Sequence, residues 1–491
     1  MSEIRLNYRI FSTPVLWHLP PDNAPAIAIV TGEEDSAGQR ISAVDAYYLD
    51  GSRVKGFPAL RQAIDGVAPA SQLGLVERIA RRPAELIAVD LKGRIVCFRS
   101  DGSPSFVSGS GNPVRGLLAW PPETFSLGDS GSQAIFLLSR DMSPWAGSRN
   151  AVDIVDGSGN SLPGFPIMLE SWPEQHSPML EPRSGRFFLL LDSGSVEGFE
   201  LLHGRRLTGF PTPPLDSDVP EGGYRAALCD DWNSIILSNG SDHLIKIDIE
   251  SGRSTSYVIH NAKRIVGLDS VGKNLYAMDD DLGFLMRIDK SGSVTGSLDL
   301  KLKLPTLTYH LQSVATRAAD MNAIVIISCP GSNPEAKIDP LFEQYATADV
   351  REEINKLSDD RARREFGVTS MAEMQPQQRE IIERNIISMK WSYLEKTLGA
   401  KRTAELLGGE AECEIIVVMD DGGRMRPVFK NTIKEYEPLT HFELSPVIHP
   451  TLHASQSENE LILVVGLNAA NTIDEPGPKY KSIIHIYQIR Y

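Results

Sequence analysis

Cysteine is scarce in this chain: Cys97, Cys229, Cys329 and Cys413 are the four in 491 residues, and no two form a C-x-x-C pair or lie near a histidine at chelating spacing. That scatter excludes a zinc-finger or disulfide framework and fits buried, reduced thiols in a reducing compartment. Long apolar runs are missing too. No stretch approaches the roughly 20 residues of a membrane span, and residues 1–9 alternate charged with apolar side chains and hold no signal-like apolar run. We therefore expect no membrane partner and a cytoplasmic location. Positive charge is in deficit, with 49 Lys and Arg against 64 Asp and Glu for a net charge of −15. A chain so acidic has no long-range attraction for nucleic acid or anionic lipid. Its 41% hydrophobic content excludes general disorder.

The strongest positive signal is a repeat. Gly, four residues, then Gly-Phe-Pro occurs at Gly51 with Gly56-Phe57-Pro58, at Gly159 with Gly164-Phe165-Pro166, and at Gly204 with Gly209-Phe210-Pro211. A strand pattern such as Ile41 to Tyr48 precedes the first Gly, which supplies the positive φ of a hairpin turn. Pro lacks an N–H, so the strand after the turn should be the outermost of its sheet, with Phe57, Phe165 and Phe210 buried between sheets. Relaxed copies follow at Asp101-Gly102, Ser251-Gly252, Ser291-Gly292 and Gly422-Gly423. Turn glycines 51, 102, 159, 204, 252 and 292 are 51, 57, 45, 48 and 40 residues apart, the length of a four-stranded propeller blade with its loops.

Seven turns give seven complete blades. The chain then offers three strands, around Pro446-Val447-Ile448, Glu460 to Val465 and Ser482 to Tyr487, and then ends. The missing fourth strand is available at the other terminus, Glu3 to Ile10, and joining the termini would remove two exposed sheet edges. The expected fold is all-β, an eight-bladed propeller closed by pairing of its terminal strands, with seven blades as the alternative. The long gap after Gly292 holds a helix-rich insertion in blade seven. The expected organisation is propeller over 1–330, helical insertion over 331–411 and propeller again over 412–491.

Units such as Gly93 to Phe98 before Asp101-Gly102, and His243 to Asp248 before Ser251-Gly252, resemble the repeat of the quinoprotein alcohol dehydrogenase-like propellers. The Gly-Phe-Pro endings are similar to those of FG-GAP-type repeat proteins. The resemblance implies a propeller scaffold. The vicinal cysteine pair of the catalytic members is absent, and the calcium loops of integrin-type FG-GAP proteins have no counterpart beyond Asp279-Asp280-Asp281, a solvated hairpin. A non-catalytic member without cofactor is what this combination suggests.

Other motifs carry less. Gly128-Asp129-Ser130-Gly131 matches the surroundings of a trypsin-like nucleophile but has no plausible histidine partner, His18 lying in a strand of blade one. His449 and His453 are four apart in a strand context, where they would not share a metal. Gly109 to Pro113 lacks the lysine of a phosphate-binding loop. Within the insertion, Ser358-Asp359-Asp360 before Arg361 to Phe366 reads as a capped helical turn, and Gln377 to Leu398 as a longer helix with Ile387, Trp391, Leu394 and Leu398 on one stripe. The functional expectation is a non-enzymatic scaffold or regulatory subunit. It would bind a protein partner within a multiprotein assembly through the insertion, at Arg361, Arg363, Arg364 and Trp391, and through the adjacent propeller face. The alternative is an enzyme, a hydrolase, lyase or degenerate dehydrogenase, with a ligand or metal in the central funnel.

Overall fold

A computed structural model describes residues 2–6, 8–10, 12–20, 22–34, 40–60, 72–76, 84–90, 92–108, 117–127, 132–140, 150–169, 171, 178–181, 184–215, 224–260, 262–279, 283–302, 306–316, 321–330, 334–366, 376–399, 402–403, 406, 413–433, 451–454, 460–470 and 480–491. The strands fall into eight antiparallel sheets. Blades five, six and two are plain four-stranded meanders. Blade five runs Arg225–Cys229, Ser234–Ser238, His243–Asp248, Ser254–Val258 from the axis outward, blade six Ile265–Val271, Asn274–Asp279, Phe284–Ile288, Val294–Asp299, and blade two Gly74–Val76, Glu85–Val89, Ile95–Phe98, Pro104–Val107. Both faces of each blade are covered by neighbours, so inner strands read as continuous apolar runs. In Arg186–Leu190 of blade four, Phe187 and Leu189 face blade three while Phe188 and Leu190 face blade five.

The hydrophobic core is accordingly a ring of eight clusters, one per blade boundary. The boundary between blades eight and one joins Ile462, Val464, Ile484 and Ile486 to Ile27 and Ile29, and it also takes in Ile4 and Leu6. Blade eight consists of Thr451–Ala454, Glu460–Ala470 and Tyr480–Arg490, with Ser2–Leu6 paired to Tyr480–Arg490 as its outer strand. The ring is therefore eight-bladed and closed by the N-terminus.

One detail differs from the sequence expectation. The closing strand ends at Leu6; Arg9–Ile10 crosses to blade one, where it pairs with Ala24–Glu34 beside Val15–Leu19. Ser12 sits between these two inner pieces and its Oγ accepts the Val30 amide at 2.8 Å. The first described strand of blade eight is Thr451–Ala454, and residues 446–448 lie outside the described residues.

The Gly-Phe-Pro segments are outermost in their sheets, as the proline requires. In blade one (inner strands as above, then Arg40–Tyr48) the segment returns to the sheet through isolated bridges Tyr47 to Arg53 and Val44 to Ala59. Blades three and four repeat this, with bridges Val155 to Ser161 and Phe199 to Arg206, and all three Phe-Pro bonds are cis. The second glycine of each motif has positive φ and lies against the turn of the following blade. A Cβ on Gly56 would fall 1.6 Å from the Asp101 carbonyl oxygen, on Gly164 2.1 Å from that of His203, and on Gly209 2.2 Å from that of Ser251. Blades two and five lack the motif and use an aromatic instead: Phe106 covers Gly159, and Tyr257 covers Gly292. Phe57 and Phe210 are buried at the boundary with the next blade, whereas Phe165 is half-buried against Phe187.

Candidate functional site

Blade seven (Thr306–Ala315, Asn322–Pro330, Cys413–Asp420, Met425–Ile433) carries the helical insertion between its second and third strands, which pair directly from Asn322 with Asp420 to Ser328 with Glu414. In a four-stranded meander this places the insertion on the face that also holds the blade-to-blade connections. Three helices form it: α1 (Pro334–Tyr345), α2 (Ala348–Phe366) and α3 (Pro376–Leu398). Proline opens α1 and α3 where a missing N–H costs nothing. α2 starts after Thr347, whose Oγ1 accepts the Val350 amide at 3.5 Å and whose carbonyl accepts that of Arg351. Ser358 is thus eleven residues inside one continuous helix and is not a cap, which corrects the sequence reading.

The apolar stripe of α3 closes the insertion on itself. Trp391 and Leu394 are buried with Ile338, Phe342, Ala346 and Ile354, while Ile387 and Leu398 pack at the margin. Lys390 bridges to Asp339 at 2.7 Å and lies over the Phe342 ring, and Tyr393 meets Phe342 edge-on at 5.6 Å. Trp391, 4% exposed, is therefore part of this core and does not face outward as a contact surface would require. Arg363 and Arg364 are exposed on α2, with Arg364 Nε donating to the Asp360 carbonyl at 3.2 Å; the side chain of Arg361 lies outside the described residues. Leu357, 44% exposed, sits on the same helix.

The second feature is the central channel. Residues in or beside the first strands of blades one to seven line a cavity of about 640 Å³. Its wall is mostly Leu, Pro and Met with Trp120, and Asp269 is its one carboxylate among the described residues. Asp269 reaches from blade six to blade seven: Oδ2 accepts the Ser313 hydroxyl at 2.9 Å and also the Ser313 amide, and Oδ1 accepts the Ser270 amide at 2.8 Å. Burial outweighs these bonds and pushes its pKa up to about 6. Ser270 Oγ in turn donates to the Leu228 carbonyl of blade five at 2.5 Å. The described lining offers no cationic side chain to an anionic cofactor, and the cysteines are not vicinal.

Buried carboxylates tie in the outer blade parts. Asp45, Asp153 and Glu197, on the third strands of blades one, three and four, meet Arg53, Ser161 and Arg206, each two residues after the turn glycine, at 3.1, 3.0 and 3.2 Å. Burial raises the Asp45 carboxyl, opposed by Tyr47 and Arg53. Between blades six and seven, buried Arg287 and Asp420 pair at 2.6 Å, and Tyr276 donates to the same carboxylate at 2.7 Å. Arg287 also donates to the Thr295 hydroxyl and carbonyl, and Tyr276 Oη accepts from Asn322 Nδ2, so the pair is held as an interblade latch.

Of the remaining sequence candidates, residues 128–131, 109–113, 280–281 and His449 lie outside the described residues, as does the side chain of His453. Asp279 is buried and accepts the Lys263 and Arg264 amides, which corrects its reading as part of a solvated hairpin. Cys97 and Cys229 are buried thiols. Among the described residues no cluster of His, Cys, Asp and Glu is placed to hold a metal, and no helix is long and apolar enough to cross a membrane.

No protein-family model matches the chain, and no curated protein matches it by sequence. Solved structures similar to it are of low identity. Sqt1 of Saccharomyces cerevisiae is 13% identical over 67% of this chain and 96% of its own, with a TM-score of 0.42. BamB of Moraxella catarrhalis is 11% identical over 66% of this chain and 95% of its own, at 0.35. The computationally designed protein Ika8 is 10% identical over 66% of this chain and 93% of its own, at 0.38.

Proposed function

We propose that this chain is a non-enzymatic interaction platform, a rigid propeller of the quinoprotein-like repeat type that presents a helical module to a protein partner in a multiprotein assembly. The observation that supports this most directly is the self-contained core of the insertion. Because Trp391, Leu394, Phe342 and Ile354 satisfy one another, the insertion does not exist to complete the propeller, and the outer face of α2 is left for contact. Arg363 and Arg364, with Arg361 beside them in sequence, place three guanidinium groups near the C-terminal end of α2, where they balance Asp359, Asp360 and Glu365 on a chain that is acidic overall; each guanidinium suits a carboxylate on a partner surface.

The test is charge reversal. Replacing Arg361, Arg363 and Arg364 by Glu should reduce recovery of the partner co-purified from the native cell, and the loss should be larger at low salt than at high salt, since rim charges act through screened fields. Equal recovery by the reversed and unchanged proteins at low salt would remove this face from the binding surface.

A further inference from the structure

The channel suits a ligand different from any protein partner. Its volume, about 640 Å³, lies within the range of small-molecule sites, and its wall combines apolar side chains with a few polar groups. Three of those polar groups carry oxygens that can accept a hydrogen bond. Asp269 supplies carboxylate oxygens. Gln312, next to Ser313 on the same strand, has a buried Oε1 without a hydrogen-bond partner among the described residues. Thr13, on the wall of blade one and 8% exposed, has an Oγ1 without a hydrogen-bond partner among the described residues, and its backbone amide is already given to Gln72 Oε1 at 2.9 Å. A buried oxygen without a partner costs on the order of 1–3 kcal/mol, so a donor arriving in the channel recovers that cost. No lysine, arginine or histidine is among the described lining residues to compete for these acceptors.

We propose that the central channel binds a small organic cation, an amine with an apolar body, whose ammonium donates to Asp269 and Gln312 while its hydrocarbon or aromatic part lies on the leucine wall and Trp120. A desolvated carboxylate beside neutral oxygen acceptors favours a cation over its neutral or anionic isostere, and the aromatic wall adds to that preference. Asp269 keeps its structural bonds to Ser313 and Ser270, because Oδ1, which accepts only the Ser270 amide, has a second lone pair for the ammonium while Oδ2 stays with Ser313. Neighbouring charge does not replace the ligand: Arg225 on the adjacent strand of blade five is bonded to the Val266 and Tyr224 carbonyls, and Tyr276 on the next strand of blade six donates to Asp420.

Three probes sharing one body test this on the full chain: phenylbutylamine, phenylbutanol and phenylbutyrate, titrated by calorimetry or ligand-observed saturation transfer. The amine should bind about tenfold or more tightly than the alcohol, and the acid most weakly. Asp269→Asn should collapse the amine-to-alcohol ratio towards one, and Thr13→Val should weaken the amine severalfold without unfolding the propeller. If Asp269→Asn does not fold, Gln312→Leu serves the same comparison and should also lower the ratio. Absence of binding by the amine up to its solubility limit, an acid that binds as well as the amine, or an unchanged ratio in the variants would overturn the proposal.

Discussion

Glycine at the second position of the repeat motif has two separate reasons to be there, and they can be told apart by substitution. Gly209 has φ +87° and its missing Cβ would sit 2.2 Å from the Ser251 carbonyl oxygen; Gly422 has φ +81° and nothing within 4 Å. Gly422→Ala should therefore cost only the left-handed backbone penalty, roughly 1–2 kcal/mol. Gly209→Ala must also displace the turn of blade five and should cost about 3 kcal/mol or more, read from the midpoint of urea unfolding. Equal costs would show that the blade contact is not tight. Phe57→Ala and Phe210→Ala should each lose about 3–5 kcal/mol, and Phe165→Ala less, because that ring is only half-buried. Asp269 gives a pH signature: its folded pKa, near 6, lies above the ordinary carboxylate value, so the folded state holds its proton more tightly than the unfolded state does. Its ionisation costs stability as pH rises from about 4 to about 6. Asparagine does not titrate, so across that window the wild type should lose stability relative to Asp269→Asn. A constant difference between the two would show that the carboxyl is not perturbed.

At the scale of elements, strands and turns were legible because their requirements are local. Gly51, Gly102, Gly159, Gly204, Gly252, Gly292 and Gly422 all have positive φ, and apolar runs such as Ile324 to Ile327 mark strands covered on both faces. What the sequence hides are relations between blades. Ile4, Leu6 and Ile10 keep one parity, so alternation gives no hint that the chain leaves blade eight after Leu6 and joins blade one at Arg9. Gly209 against Ser251, or Asp269 against Ser313, joins residues more than 40 positions apart, and no spacing rule reveals the contact. Ser358 looked like a cap because Ser-Asp-Asp before basic residues is a start signal, yet Thr347 had already started the helix. The channel acceptors were invisible for a similar reason: Thr13, between two strand pieces, and Gln312, within a strand, are ordinary polar residues until the closed ring brings them around one axis. The insertion gives the prediction at this scale. Since Ile324 pairs with Val418 and Ile327 with Ile415, a short Gly-containing turn in place of residues 334–409 should leave the sheet closed and the circular dichroism of the propeller intact. Loss of the propeller's cooperative melt would mean that the helices hold blade seven together.

On the scale of the whole molecule, the ring depends on a strand at its very beginning. Ile4 and Leu6 contribute to the boundary of blades eight and one, and Ser2–Leu6 covers the outer edge of blade eight. Removing residues 1–6 should expose that edge and open the boundary, so that the melting temperature falls sharply or the protein aggregates. An unchanged melt would mean that the pairing contributes nothing to closure. The central claim is that a closed propeller acts as scaffold for a recognition module that it does not need for folding. The most direct measurement is partner recovery from the native cell by the intact chain and by the chain lacking residues 334–409, each first shown to melt cooperatively. The partner should be lost with the insertion while the propeller remains folded; undiminished recovery by the shortened protein would contradict the account and move recognition to the propeller itself.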